Sequence, residues 1–537
     1  MERSNPPLTM ASVRSGSNLL DMVPTEFAPP TRDRAGSGLE TLQMPWLPSP
    51  VPSPPMSRQA SQQDEPDELN AGKSGQLVVM KFGGSSLASY EHLERVVEIV
   101  RSQLSRKPVV VLSAMGKTTN HLLEAAEMAL KQGKVDITNV RDFHEGVIKK
   151  MKIPTPQPIL DMFEELHRIL SGVSLLREIS FRARDLIVSF GERLSVQVFE
   201  AVFNNAIENQ TEGMTAKAFN SWEIGMITTS GGGSADSAYS QAEILPVAYT
   251  NIALNLSQYK TKYERVPIVT GYIAHDSEGT ITTLGRDGSD LTATVIGAAV
   301  LASEIQIWKD VDGIMTTDPR VVPNAKPVRL ITFEEAAELS AFGAKVVHPA
   351  AVMPAWTAKV PMSVRNSTAP ELPGTRIVAE LGGDSGRGRV IALSSKRNIT
   401  MIVIRSTRML GQHGFLAHVF QVFNDFAASV DVIATSEVSI SLTLDQSFKN
   451  VDMKGLRKKL ESVAAVEVSE AMAMLTLITA KRDSVTVLRD AFSAYAEMGI
   501  SVEMVSHGAS NVNVTFVIPD KDLLAATKKV HEIFWER

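Results

Sequence analysis

Lys81-Phe82-Gly83-Gly84-Ser85-Ser86 stands where an apolar run, Leu77 to Met80, gives way to a helical pattern. Glycines let backbone approach an anion closely, and a helix N-terminus presents free N–H groups to it. Lys81 would add a point charge on a phosphate. A glycine turn with a solvated lysine fits the same six residues, so this segment alone leaves phosphate binding open. Leu284-Gly285-Arg286-Asp287-Gly288-Ser289-Asp290 precedes a helical run from Leu291 to Leu301. Arg286 suits a bidentate grip on a carboxylate, and Ser289 and Asp290 stand where a helix is capped. A capped helix after a turn is the plainer account, although an arginine buried in such a turn needs an anion. Ser189-Phe190-Gly191-Glu192-Arg193 sets a carboxylate beside a guanidinium. Glu192 either receives an ammonium or forms a surface ion pair in a helix.

Trp308-Lys309-Asp310-Val311-Asp312-Gly313-Ile314-Met315, continuing to Asp318-Pro319-Arg320, places two cations and several carboxylates in a loop after an apolar strand. Loops at the carboxyl ends of parallel strands are where such sheets bind ligands. Ser340 to Pro349 adds Lys345, and His348 before Pro349 reads as a packed or hydrogen-bonding residue. No cluster has metal-ligand spacing, so a metal is expected to arrive with a nucleotide. Gly116-Lys117-Thr118 and Gly72-Lys73-Ser74 imitate the end of a P-loop, but Val111 and Asp67 occupy the place of its first glycine. Gly231-Gly232-Gly233 reads as a flexible loop.

These groups share one logic. Lysines and arginines suit a polyphosphate, and an arginine with a glutamate suits a zwitterion. The chain has no cysteine, which removes thiol nucleophiles, thiolate metal sites and disulfides. No serine and histidine pair as nucleophile and base. A carboxylate acceptor is already ionised at neutral pH and needs no base. Catalysis then reduces to positioning and charge neutralisation, the demand of phosphoryl transfer.

The elements that must position these residues follow from periodicity. Leu77 to Met80 and Val109 to Leu112 are apolar throughout, as strands covered on both faces are. Leu93, Val96, Val97, Val100 and Leu104 form a helical face between them, which makes a βαβ unit. Helical segments are expected over about 120–210, and further strands at Ile268–Thr270 and Glu304–Trp308. The result is a large α/β domain with helices on both faces of a mainly parallel sheet. Past Gly382-Gly383-Asp384-Ser385-Gly386, read as a linker, a weak repeat appears. Ser429-Val430-Asp431-Val432-Ile433 matches Ser501-Val502-Glu503-Met504-Val505. Each is preceded by a helical pattern (Phe415–Phe426, Val485–Tyr495) and followed by an alternating strand (Val438–Leu442, Val512–Phe516), as in two βαββ-type units in tandem.

The chain has 537 residues, enough for two to four domains, with 44% hydrophobic and 21% charged residues and a net charge of −6. Nothing in that balance calls for nucleic acid, and no apolar run is long enough to span a membrane. The first 75 or so residues are rich in proline and serine and are expected to be disordered, an organelle targeting segment, or both. Arg3, Arg14, Arg32, Arg34 and Arg58 favour an organelle transit segment, with the plastid the expected compartment, whereas Glu2 and the acidic stretch at Asp64, Glu65, Asp67 and Glu68 do not. A cytoplasmic protein with a disordered tail is the alternative.

Six motifs in order, Lys81 to Ser86, Ser113 to Asn120, Ser189 to Arg193, Gly285 to Asp290, Trp308 to Arg320 and Phe342 to Pro349, resemble the aspartate kinase family of the amino-acid kinase superfamily. The wording of Ser113 to Asn120 and Trp308 to Gly313 is most similar to the monofunctional, plant-type, lysine-sensitive branch. The resemblance implies a disordered or transit segment over 1–75 and an amino-acid kinase domain over 76–385. It places a regulatory region with two ferredoxin-like ACT domains over 386–537, about 399–475 and 476–537 or interleaved. It implies transfer of phosphate from ATP, with Mg2+ carried by the nucleotide, to L-aspartate, giving ADP and 4-phospho-L-aspartate. That reaction opens lysine, threonine and methionine biosynthesis.

The resemblance also assigns residues. Lys81 would neutralise the moving phosphoryl group, with Asp290 orienting it, as the catalytic pair. Thr119, Glu192, Arg286 and Ser289 would hold aspartate. Lys81, Gly83, Gly84, Ser85, Lys309, Asp310, Met315, Arg320 and Lys345 would contact ATP. Many relatives carry an aromatic residue at Met315 and glycine or asparagine at Asp287, so this chain departs at both. Met409, Gly414, Phe415, Leu416, Val430, Asp431, Ser436 and Glu437 match a pocket for allosteric lysine, with S-adenosylmethionine a second candidate effector. A homodimer through the ACT domains is expected. Two other readings stand beside this one: a kinase acting on glutamate or acetylglutamate, and a non-catalytic amino-acid sensor on the same fold.

Overall fold

The computed structural model describes residues 77–207, 214–230, 242–285, 287–344, 347–381, 387–406, 413–444, 451–480, 484–508, 510 and 512–536. The first strand, β1 (Val78–Phe82), is buried at every position. Helix α1 (Tyr90–Ser102) follows, capped by the Ser89 side chain, and turns Leu93, Val96, Val97 and Val100 inward, the face its spacing foretold. After β2 (Pro108–Leu112) come α2 (Thr118–Gln132), α3 (Thr138–Lys150), α4 (Gln157–Leu176) and α5 (Phe181–Ile207). The chain continues through β3 (Thr215–Phe219), α6 (Pro246–Thr261), β4 (Arg265–Thr270), a hairpin of β5 (Ile273–His275) and β6 (Ile281–Thr283), and α7 (Gly288–Val300). Then follow β7 (Glu304–Lys309), β8 (Leu330–Thr332), α8 (Phe333–Ala341), α9 (Pro349–Thr357), β9 (Met362–Asn366) and β10 (Thr375–Val378).

Eight of these strands form one sheet in the order β3-β4-β2-β1-β7-β9-β10-β8. Every pairing is parallel except β9 with β10. Alternation along β1 divides the core. Val78, Met80 and Phe82 pack against α1 to α5, while Leu77 and Val79 pack on the opposite face with α6, α7 and α9. Lys81 shares the parity of the second set and so faces α7. Phe82 is in register with Leu112 on one side and Trp308 on the other. The segments that follow β1, β2 and β7 therefore leave the sheet at one level.

The C-terminal region, the regulatory half of the expected arrangement, is a second sheet, built from β11 (Val390–Arg405), α10 (Phe415–Asp425), β12 (Ile433–Thr435), β13 (Ser439–Leu444), α11 (Met453–Glu461), β14 (Ala465–Thr479), α12 (Ser484–Met498), β15 (Met504–His507), β16 (Asn513–Pro519) and α13 (Leu523–Trp535). Its order is β12-β13-β11-β14-β16-β15, antiparallel throughout. The two units are woven rather than strictly consecutive. β11 and β14 run the full width of the sheet, with register shifts around Ile399. Thr400–Arg405 pairs with β13 in the first unit, whereas Val390 and Leu393 pack in the core of the second, among Val487, Tyr495, Phe516 and Val530. A repeat pattern does not say which copy of a strand completes which unit, because that depends on pairing between distant residues.

Candidate active site

Lys81 and Asp290 form the centre. Nζ of Lys81 lies 2.7 Å from Oδ1 of Asp290, and Nζ of Lys309 lies 3.3 Å from Oδ2. β1, α7 and β7 each supply one residue. Burial alone would raise the Asp290 carboxyl, but the Lys81 and Lys309 ammonium groups hold it below the usual carboxylate range. The carboxylate thus fixes two ammonium groups side by side at the mouth of the parallel strands. Asp290 is not a helix cap. Helix α7 begins at Gly288, and the cap position is Asp287, at φ 54° and ψ 25°, with no side-chain capping bond. Ser289 and Asp290 instead occupy the first turn, buried, where the helix's free N–H groups also point.

The glycine turn after β1 meets the loop after β2. Gly116 N–H donates to the Gly84 carbonyl at 3.0 Å, and a methyl group at Gly84 would lie 2.7 Å from the Ala114 carbonyl oxygen. No other residue allows that approach. A Cβ on Gly83 would lie 3.7 Å from Nζ of Lys81, so this turn borders the ammonium directly. Ser85 is exposed, while Ser86 bonds through its hydroxyl to Ser367 at 2.8 Å. Ser367 in turn donates to the Lys309 carbonyl, which ties the segments after β1, β7 and β9 together.

Glu192 is buried, contrary to the surface pair its neighbour Arg193 suggests. Arg193 turns away to Glu165 at 2.9 Å and over the Phe190 ring. One Glu192 oxygen accepts from Ala114 N–H at 3.1 Å, and the other has no hydrogen-bond partner among the described residues. Burial pushes the carboxyl up to about 8, with the Ala114 N–H and the charge of Lys81 opposing. A buried carboxylate with an open oxygen is a receptor for a cation. Thr119 lies beside the preceding residue: a Cβ on Gly191 would lie 3.6 Å from the Thr119 hydroxyl. Ser289 packs against Gly271, just past the end of β4.

Asp310 is exposed, and the exposed Arg320 is bonded to Asp318 at 2.7 Å. Met315 lies in a hairpin-like segment opposite Pro327. His348 caps α9 by accepting from Ala350 N–H. Arg286, Lys345, Met409 and Gly231 to Gly233 lie outside the described residues. Asp185 was not singled out. It is buried and accepts from the Thr283 hydroxyl at 3.1 Å, just ahead of the segment that carries Arg286. Its spacing of seven from Glu192, with Ser189 between, puts three polar residues on one face of α5, a signal present in the sequence. Among the described residues no group of three or more acidic or histidine side chains is placed to hold a metal ion, and no helix is long and apolar enough to cross a membrane.

In the regulatory half, Gly414 precedes α10 at φ 85°, and Phe415 and Val430 pack on one apolar cluster. Leu416 and Glu437 are exposed, and Ser436 bonds Ser439 across the β12–β13 turn. Asp431 already holds a cation: Nζ of Lys396, on β11, lies 3.2 Å from Oδ2.

The fold and the Lys81–Asp290–Lys309 cluster define an amino acid kinase with a C-terminal ACT domain. Residues 76–366 match the amino acid kinase family and residues 481–534 match the ACT domain. Aspartokinase 1, chloroplastic, of Arabidopsis thaliana is 40% identical over 477 residues, 86% of this chain and 81% of that protein. E. coli aspartokinase III in complex with aspartate and ADP (R-state) superposes with a TM-score of 0.69 at 31% identity, covering 85% of this chain and 99% of that one. The same enzyme with lysine and aspartate (T-state) gives 0.67 at 31% identity over 86% and 99%. The chain belongs to the aspartokinase family.

Proposed function

We propose that this chain transfers the terminal phosphoryl group of ATP to the side-chain carboxylate of L-aspartate, releasing ADP and 4-phospho-L-aspartate. The carrying observation is the paired ammonium groups of Lys81 and Lys309 on Asp290, with the open carboxylate of Glu192 close enough to feel the Lys81 charge. Glu192 takes the substrate ammonium, and Thr119, Ser289 and Arg286 orient its carboxylates. The acceptor oxygen is already anionic. The chain's task is to hold it in line with the nucleotide while Lys81 and Lys309 absorb charge on the transferring group. Magnesium enters as part of the nucleotide substrate, coordinated by its phosphates.

Lysine is the feedback effector, its ammonium received by Asp431 and Glu437 and its carboxylate by backbone near Gly414. Two copies of the chain pair through the regulatory sheet, and the protein works in plastids, as the name of the Arabidopsis relative says of that protein. Hydroxylamine trapping of aspartyl phosphate, with and without lysine, tests the reading. Hydroxamate should form with aspartate and fall with lysine. ADP release with glutamate or acetylglutamate but not aspartate would overturn it, as would no turnover with any of the three.

A further inference from the structure

The segment after β7 is held partly by its own pairing and partly by the regulatory half. Ile314 to Thr316 lies against Lys326 to Val328: Val328 N–H donates to the Ile314 carbonyl at 2.7 Å and Thr316 N–H to the Lys326 carbonyl at 2.8 Å. Between these two bonds sits Met315. Every polar group of Thr316 is engaged, and two of its partners belong to the regulatory half. Its carbonyl accepts from Leu393 N–H at 2.6 Å, and its hydroxyl bonds Nε2 of His531 at 3.0 Å.

His531 lies on α13, the last helix, and has no exposed surface. Its other nitrogen, Nδ1, lies 3.2 Å from a Glu536 oxygen, and its ring stacks on Trp535 with centroids 4.8 Å apart. The donors and acceptors form one directed chain. Lys326 N–H donates to the Thr316 hydroxyl at 2.9 Å. That hydroxyl is then free to donate to Nε2, which requires the tautomer with its hydrogen on Nδ1, donated to Glu536. Lys326 closes the loop by reaching the Trp535 carbonyl at 3.1 Å. The resemblance gives neither residue a role: His531 lies outside its motifs, and Thr316 lies within Trp308 to Arg320 without one.

We propose that Thr316 and His531 are positioning residues for the nucleotide: a buried hydrogen bond from the last helix fixes the hairpin that carries Met315, the residue the resemblance assigns to the nucleotide. This rests on the reading of the segment after β7 as the nucleotide side. A histidine that merely filled a cavity would not be matched, atom for atom, to a hydroxyl that already accepts from the hairpin's other arm.

The test uses the full chain and two separate readouts, the Kd for ADP by calorimetry and the KM for aspartate. Thr316→Val and His531→Phe, the second keeping an aromatic ring against Trp535, should each weaken ADP binding about five- to tenfold, the worth of one buried hydrogen bond. The KM for aspartate should move less than about twofold, because Glu192 and Ser289 sit on other elements. Thr316→Ser should restore ADP binding, and the double variant should be no weaker than the poorer single, since both remove one shared bond. Unchanged ADP affinity with only a lowered melting temperature would overturn the proposal. So would an equal loss for ADP and aspartate, or fully additive losses in the double variant. If His531→Phe does not fold, the Val and Ser variants at Thr316 decide alone. Because ADP binding needs no turnover, a wild-type chain that binds ADP but makes no aspartyl phosphate would sink the substrate assignment and leave this test standing.

Discussion

Asp290 sits between two ammonium groups, and that arrangement sets what its loss should do. Asparagine keeps the volume but leaves Lys81 and Lys309 side by side without a counter-charge. Asp290→Asn should lower kcat by about 10²-fold or more, the scale of losing a preorganised electrostatic group, with a smaller change in the KM for aspartate. Hydroxamate formation under saturating substrates measures it. Glu192 brings a pH dependence with a definite sign. Its carboxyl is raised to about 8 in the ligand-free protein, well above its value of 4.5 in an unfolded chain. The folded state therefore holds the extra proton between those values, and stability falls as pH rises from about 4.5 to about 8, then levels. Binding an ammonium needs the ionised form. The KM for aspartate should thus rise about tenfold for each pH unit below about 8. Glu192→Gln should abolish that slope, and it should also flatten the melting temperature across the same window. At Asp287 the backbone is left-handed, as its residue type allowed. Asp287→Gly should keep or raise turnover, since it relieves the backbone and removes a negative charge near phosphates; a large loss would show that the side chain has a role of its own.

At the scale of elements, the parts of the site that local pattern controls were readable and the parts that pairing controls were not. Continuous apolar runs marked β1, β2 and β7, and parity along β1 sent Lys81 toward α7. Nothing local announced that Arg193 would leave Glu192 for Glu165, or that α7 would start one residue before Ser289. The woven strand β11 is the clearest instance. It delivers Lys396 from the second unit to Asp431 in the first, an ion pair that no spacing in either repeat encodes. If lysine binds at Asp431, its ammonium must displace that of Lys396. Lys396→Met should therefore tighten lysine binding, and a largely buried pair worth about 1 kcal/mol corresponds to roughly fivefold. Calorimetric titration with lysine reads this directly, and weaker or unchanged binding would show that Lys396 does not compete for the pocket.

Across the whole molecule the two halves meet at the segment after β7 and along α8. Leu393 and His531 hold Thr316, Ser394 donates to the Phe342 carbonyl, Asn513 donates to Glu338, and Arg387 grips Glu335 with two bonds. The stem of Lys396 reaches the same place, since a Cβ on Gly343 would lie 3.3 Å from its Cγ. The residue that pairs with Asp431 therefore also packs beside Phe342 and Gly343, so displacing its ammonium disturbs a contact with the kinase half. A linkage follows with no free choice of sign or size. If lysine weakens ADP binding by some factor, ADP must weaken lysine binding by the same factor, because both are one coupling free energy. Calorimetry in both directions should give equal factors, of about 5- to 150-fold for a typical coupling. Thr316→Val should shrink both together, because it cuts one of the bonds through which the halves communicate. Coupling that survives intact in that variant would route the signal elsewhere, through Arg387 or Ser394.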